Sequence, residues 1–352
     1  MSMRILQLAT GAGFVAASLM ATAAPALAGP PGVTTQRPSA ATEAVSPGDT
    51  RAGRLAAKPV PWSESPGGSV GAEAEVVPMG PGGAVAGGPP NPKAREAARS
   101  EFKGEWEELA VEPEVDFGTA NVYTYYGRPY YPGTRPTAYP WSAIGKLYSN
   151  RGSCSASVIS SRNVIVTAAH CCYTRGVGWN TSFRFVPAEY DGIAPYGVFP
   201  WTRATVPTAW ITGGARKDDV CVINLGSNAA GRPVTFYTGW LGRSWDWGTI
   251  LNLHAIGYPG NLDSARTQQL CSAETFSPSS ACGGSTVLNM GCNMTFGSSG
   301  GPWIWQYRTN NFVNAVVSGY DGTTCTGTFG ETFNGPRFTS ANIVPLCTSA
   351  GC

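Results

Sequence analysis

Gly297-Ser298-Ser299-Gly300-Gly301-Pro302, followed at once by Trp303-Ile304-Trp305, sets one serine on a tight turn that leads straight into a strand. Glycine near Ser299 on both sides allows backbone angles that a residue with a Cβ resists, and it lets a second backbone approach closely. A Gly/Ser-rich hexamer can also be a flexible loop. The Pro-Trp-Ile-Trp run argues against that reading, because it is a strand start and not a linker. Well upstream, the β-prone run Asn163-Val164-Ile165-Val166 delivers a histidine into Thr167-Ala168-Ala169-His170-Cys171, among small residues that leave its ring room to move.

These two runs have a common chemistry. A serine hydroxyl is a weak nucleophile until a base removes its proton as it attacks. Imidazole suits the task, because its ordinary pKa of about 6.5 leaves it mostly neutral near pH 7. Ser299 is therefore the candidate nucleophile and His170 the candidate base. The backbone N–H groups of Gly297 and Ser299 are the candidate oxyanion donors. The base needs a buried carboxylate to fix its tautomer. Asp218 and Asp219 are adjacent, and spacing alone does not choose between them. The second histidine, His254, lies inside an apolar strand and reads as a packed structural residue.

The rest of the 352-residue chain narrows the setting. Only 13% of residues are charged and the net charge is +2, with no long basic run, so nothing favours nucleic acid. Residues 1–28 open with Arg4, continue uncharged and close on Ala26-Leu27-Ala28. Such a run is almost long enough to span a bilayer. Gly11, Gly13, Pro25 and the small-residue site favour a cleaved secretory signal over an anchor. The mature chain is then expected outside the cell, with no stable membrane association.

From Gly29 to about Asn91 the sequence is rich in Pro, Gly and Ala, with no sustained apolar period, and it is expected to be disordered. Lys93–Arg99 and Glu105–Leu109 favour a short charged helix. The leader, 29–117 in all, reads as a pro-segment covering the active site or as a plain spacer. The ordered domain is expected over 118–352. There, short β-prone runs alternate with Gly, Ser, Asn and Pro: Ala143–Tyr148, Val158-Ile159, Val164–Val166, Phe183–Val186, Val220–Ile223, Ile250–Ile256, Trp303–Trp305 and Ala315–Val317. The pattern is all-β, a barrel or sandwich, with at most a short helical turn near the C-terminus.

All ten cysteines lie between Cys154 and Cys352, an even number that in an exported chain reads as up to five disulfides. A metal site is the alternative, but Cys171-Cys172 is not a Cys-x-x-Cys knuckle and two histidines offer zinc few ligands.

Together the serine and histidine runs resemble the signatures of the chymotrypsin-like (trypsin-fold) serine peptidases, in the chain order His170, Asp219, Ser299. The resemblance covers roughly 140–340 and implies an all-β fold of two barrels. It selects Asp219, because Asp219-Val220-Cys221-Val222-Ile223-Asn224-Leu225 matches the family's Asp followed by an apolar strand ending in Leu. It also implies a Cys154–Cys171 bridge; Cys172–Cys221, Cys271–Cys292 and Cys347–Cys352 are further expected closures. Gly257-Tyr258-Pro259-Gly260 and Met294–Trp303 are most similar to the secreted bacterial glutamyl-endopeptidase branch.

Three positions depart from relatives. Ser298 stands where animal digestive peptidases carry an Asp that receives the new N-terminus. Asn293 stands where trypsin-like enzymes place the Asp that selects basic residues. Val317-Ser318-Gly319-Tyr320 lacks the histidine of glutamyl-specific members. Asn293, Ser318 and Tyr320 are the candidate pocket residues, and Tyr320 is expected to narrow the pocket. The expected function is a secreted serine endopeptidase, made as a zymogen, monomeric, acting on protein or peptide substrates without metal or organic cofactor. The competing readings are an inactive peptidase homologue that binds extracellular ligands and a surface structural protein built on the Pro/Gly-rich leader.

Overall fold

A computed structural model describes residues 32–39, 45–62, 76–78, 80, 82–108, 124–127, 137–327 and 330–352. The expected signal segment and the expected domain boundary near 118 lie outside the described residues. Nearly every β-prone run named above falls on a strand. Six strands close the first barrel: Ile144–Ser149, Gly152–Ser160, Val164–Thr167, Arg184–Pro187, Phe199–Pro207 and Cys221–Leu225. Neighbours are antiparallel throughout, and Phe199 opposite Phe185 completes the ring. Val164–Thr167 and Ile144–Ser149 are buried along their whole length, so these strands are covered on both faces and show no polar alternation.

The second barrel is joined more loosely. Asn252–Gly257 lies between Gln269–Glu274 and Pro302–Trp305, and Phe312–Val316 follows on the far side. Val287–Met290, Thr332–Pro336 and Gly319–Asp321 form a separate three-stranded sheet. Single bridges, Ala315 with Arg337 and Phe276 with Asn289, link the two sheets into one ring. The helix Ile343–Ala350 returns to the first barrel, where Arg203 Nη2 donates to the Ser349 carbonyl (2.6 Å) and Asn224 Nδ2 to that of Ala350 (2.8 Å).

The leader differs from its expectation. Val33–Gln36 pairs antiparallel with Ala204–Pro207 and extends the first barrel's sheet. Gly83–Val85 pairs with Arg243–Trp245 on the second. An added edge strand draws its stability from main-chain hydrogen bonds, so it needs no apolar period of its own. Gly83 is there for close approach: a Cβ on it would stand 2.2 Å from the Trp245 ring. The expected charged helix is present but is split into two, Ala94–Glu101 and Lys103–Glu108. Arg232 meets Glu101 at 2.6 Å, and the Trp106 indole donates to the Pro195 carbonyl at 2.7 Å.

Five disulfides are formed: Cys154–Cys171, Cys172–Cys221, Cys271–Cys292, Cys282–Cys325 and Cys347–Cys352. Among the described residues no helix is long and apolar enough to cross a membrane.

Candidate active site

The strand Val164–Thr167 ends at the short helix Ala169–Cys172, and this places His170 at the barrel's mouth. Two disulfides hold that helix from both sides, Cys171 to Cys154 and Cys172 to Cys221. The neighbouring strand Cys221–Leu225 pairs with Val164–Thr167, with Cys221 opposite Thr167, so the residue two before its start is brought beside the histidine. That residue is Asp219. Its Oδ2 is 2.8 Å from His170 Nδ1, and its Oδ1 accepts the His170 backbone N–H at 2.8 Å. Asp219 is fully buried. Asp218 turns the other way, to Lys217 at 3.5 Å.

Burial alone would raise the Asp219 carboxyl. The charge and hydrogen bond of His170, the Ser318 hydroxyl and the Arg216 guanidinium outweigh it and hold the carboxyl below its ordinary range. The Ser318 hydroxyl donates to Asp219 Oδ2 and accepts from Arg216 Nη1 at 3.0 Å, so it is committed to the carboxylate. Sequence reading missed this Arg216–Ser318 support, because it joins residues 102 positions apart across the two barrels.

Ser299 comes from the second barrel. Ser298 N–H donates to the Thr295 carbonyl (3.1 Å) and Gly301 N–H to that of Ser298 (2.8 Å), which folds the run into a tight turn. Gly300 has φ of +79°, and a Cβ on it would stand 1.9 Å from Thr167 Oγ1, so only glycine fits against the histidine strand. Ser155 fastens the turn across the interface. Its N–H donates to the Ser299 carbonyl (2.8 Å) and its hydroxyl to that of Gly297 (2.8 Å). Cys171 Sγ lies 3.8 Å from the Ser299 carbonyl oxygen, so the Ser299 turn sits against the histidine helix.

The Phe296 carbonyl accepts from Gly260 N–H at 2.6 Å. In a trans peptide the next N–H points the opposite way, so that of Gly297 is directed away from Gly260. His170 Nε2 and Ser299 Oγ are both buried, and neither has a hydrogen-bond partner among the described residues. Unpaired buried polar atoms are costly and call for an explanation.

His254 stands apart from this group. It stacks on Tyr307 with ring centres 4.6 Å apart and shares a hydrogen bond with the Ile304 backbone, while burial pushes its pKa down. Cys154, His170 and Cys171 place donor atoms within 4.8 Å of one another. The two sulfurs are bonded to each other, which leaves no thiolate for a metal.

Of the other candidate pocket residues, Tyr320 bridges the carbonyl oxygens of Cys292 (2.8 Å) and Met294 (3.0 Å) through its hydroxyl. Asn293 lies between those two, and its own carbonyl accepts from Asn261 at 2.7 Å.

No model of a known protein family matches the chain. It is 30% identical over 131 residues to the glutamyl endopeptidase of Bacillus licheniformis, which is 36% of this chain and 39% of that protein. The chain thus spans well under half the length of this curated relative. Among solved structures it is similar to the protease Anisep from Arthrobacter nicotinovorans, with a TM-score of 0.53 and 25% identity over 60% of this chain and 96% of that one. The thermostable serine protease AL20, from an extremophilic microorganism, gives a TM-score of 0.52 at 25% identity over 60% and 98%. A Glu endopeptidase shares the fold with a TM-score of 0.51 at 21% identity, over 62% and 94%. By sequence and by fold, this chain is similar to the bacterial serine proteases of the chymotrypsin fold.

Proposed function

We propose that this chain is a secreted serine endopeptidase that cleaves proteins or peptides through an acyl-enzyme on Ser299. The observation that carries the reading is the buried Asp219–His170 pair, joined at 2.8 Å and set against the glycine-bounded turn of Ser299. Asp219 holds the proton on His170 Nδ1, which leaves Nε2 as the base. Ser299 Oγ attacks the scissile carbonyl and its proton passes to Nε2. The N–H groups of Gly297 and Ser299 receive the oxyanion, an arrangement in which each donor is worth about 10²–10³ in rate. The imidazolium then protonates the leaving amine. Water, deprotonated by the same nitrogen, releases the acyl group and restores the enzyme.

The five disulfides suit an oxidising compartment and support secretion. Residues 1–28 act as the signal peptide. The leader is the pro-segment of a zymogen, and the mature monomer starts between about 112 and 140. The glutamyl preference named for the Bacillus relative does not pass to this chain, whose 317–320 segment holds no histidine.

The test is hydrolysis of fluorescein-labelled casein by the processed protein, alongside N-terminal sequencing. Hydrolysis is expected to vanish in Ser299→Ala and in His170→Ala. Undiminished cleavage in Ser299→Ala would overturn the mechanism, and protein still carrying residues 29–111 that cleaves as fast as the processed protein would overturn the inhibitory leader.

A further inference from the structure

We infer that the recess beside Ser299 receives a large aromatic side chain of the substrate, and that the chain's own Trp62 fills that place until it is displaced. The inference rests on the peptidase reading and adds the substrate class. Four aromatic rings from distant parts of the sequence meet there. The Trp62 ring centre lies 4.8 Å from Phe296, 4.5 Å from Tyr320 and 6.3 Å from Phe333. Phe296 stands three residues before the nucleophile, and Tyr320 two residues after the Ser318 that holds Asp219. The recess therefore adjoins the reacting atoms.

Phe296 is 47% exposed and is the only aromatic among the exposed large hydrophobic residues described. An exposed ring beside a nucleophile is unfavourable in water and useful for gripping an apolar group. The Tyr320 hydroxyl is tied to the loop carbonyls of Cys292 and Met294, which fixes its ring as a wall. Trp62 is a poorly satisfied occupant. Its indole Nε1 is buried and has no hydrogen-bond partner among the described residues, which weakens its hold on the place.

The strap leading to Trp62 also runs in the wrong direction to be cut. Lys58 and Val60 bond to Ser153 on either side of Pro59, with Ser153 N–H to the Lys58 carbonyl and Val60 N–H to the Ser153 carbonyl, both at 2.9 Å. Pro59 packs on the nucleophile turn, where a Cβ on Gly297 would stand 3.2 Å from its Cβ. Ser153 precedes Cys154, which is bonded to Cys171 beside His170, the residue that protonates the leaving amine. That side of the site therefore belongs to the leaving group. In a cleavable peptide the residue in the recess comes first and the leaving-group segment second. Here Pro59 comes first and Trp62 second, so the strap covers the site with reversed polarity.

The test uses the full chain and three readouts. In Trp62→Gly, indole itself is expected to bind saturably at one site by calorimetry, with no such binding to the parent chain. Trp62→Phe, which keeps a ring in place, is expected to bind indole at least tenfold more weakly than Trp62→Gly. Peptides identical except for the residue before the scissile bond are expected to show kcat/KM at least tenfold higher for Phe, Tyr and Trp than for Glu, Arg or Ala. Fluorophosphonate labelling of Ser299 is followed in the same samples. Labelling with a Glu, Arg or Ala preference, or without indole binding, overturns the aromatic recess and leaves the peptidase. Indole binding without labelling overturns the peptidase and leaves the recess. Loss of both overturns both.

Discussion

The carboxylate side of the site and the aromatic recess meet along one short segment, at Ser318 and Tyr320, and are built in opposite ways. Around Asp219 polar groups are matched in a line, His170 on one side, Ser318 and then Arg216 on the other, and the disulfides on either side of His170 leave that line little freedom. In the recess the contacts are rings, one wall is exposed, and the occupant is a leader residue whose N–H has no partner among the described residues. The difference separates two properties. On the proposed reading, the reaction depends on fixed electrostatics, and the choice of substrate depends on an apolar space that Trp62 now fills.

The comparison breaks first at the carboxylate. Asp219→Asn keeps the shape but favours the wrong His170 tautomer, and kcat is expected to fall about 10⁴-fold with KM little changed. A loss below tenfold would mean that another group orients the ring. The recess should respond in the other parameter. Tyr320→Ala removes a wall and the bridge to Cys292 and Met294, so KM for aromatic peptides is expected to rise about tenfold with kcat held within threefold. A fall in kcat alone would place Tyr320 with the catalytic line.

Ser318→Ala is the smallest change and tests the support between the two regions. Loss of a hydrogen bond to a buried carboxylate is expected to cost about 1.5–3 kcal/mol of stability at pH 7. Asp219 has a folded pKa below its unfolded value of about 3.9, so its contribution is fully present above that value and is lost as pH falls through the folded pKa. The penalty of Ser318→Ala should accordingly shrink in acid, and urea unfolding at pH 7 and pH 3 checks this. A penalty equal at both would mean that the hydroxyl acts by packing alone.

The parts legible in the sequence are those fixed by near neighbours. The nucleophile turn needs glycine at 300 because Thr167 lies against it, and His170 follows directly from its strand. Asp219 could be preferred to Asp218 through the family resemblance, in which the Asp precedes an apolar strand ending in Leu. Ser318 was harder, since both directions of its side chain fit the same short run and Arg216 decides between them. The leader was misread for a related reason. Its glycines look like linker composition, yet Gly83 and Gly88 lie flat under Trp245 and Trp240, where a Cβ would come within 2.2 and 2.3 Å of the rings. Trp62 gave no signal at all, because its meaning depends on Phe296, Tyr320 and Phe333, more than two hundred residues away.

The most direct measurement is the rate and position of fluorophosphonate labelling, read by mass spectrometry, in the full chain and in Trp62→Gly. The account predicts one adduct, on Ser299, formed at least tenfold faster in Trp62→Gly and absent from Ser299→Ala. No adduct on Ser299 in folded Trp62→Gly, or an adduct on another residue, would contradict it.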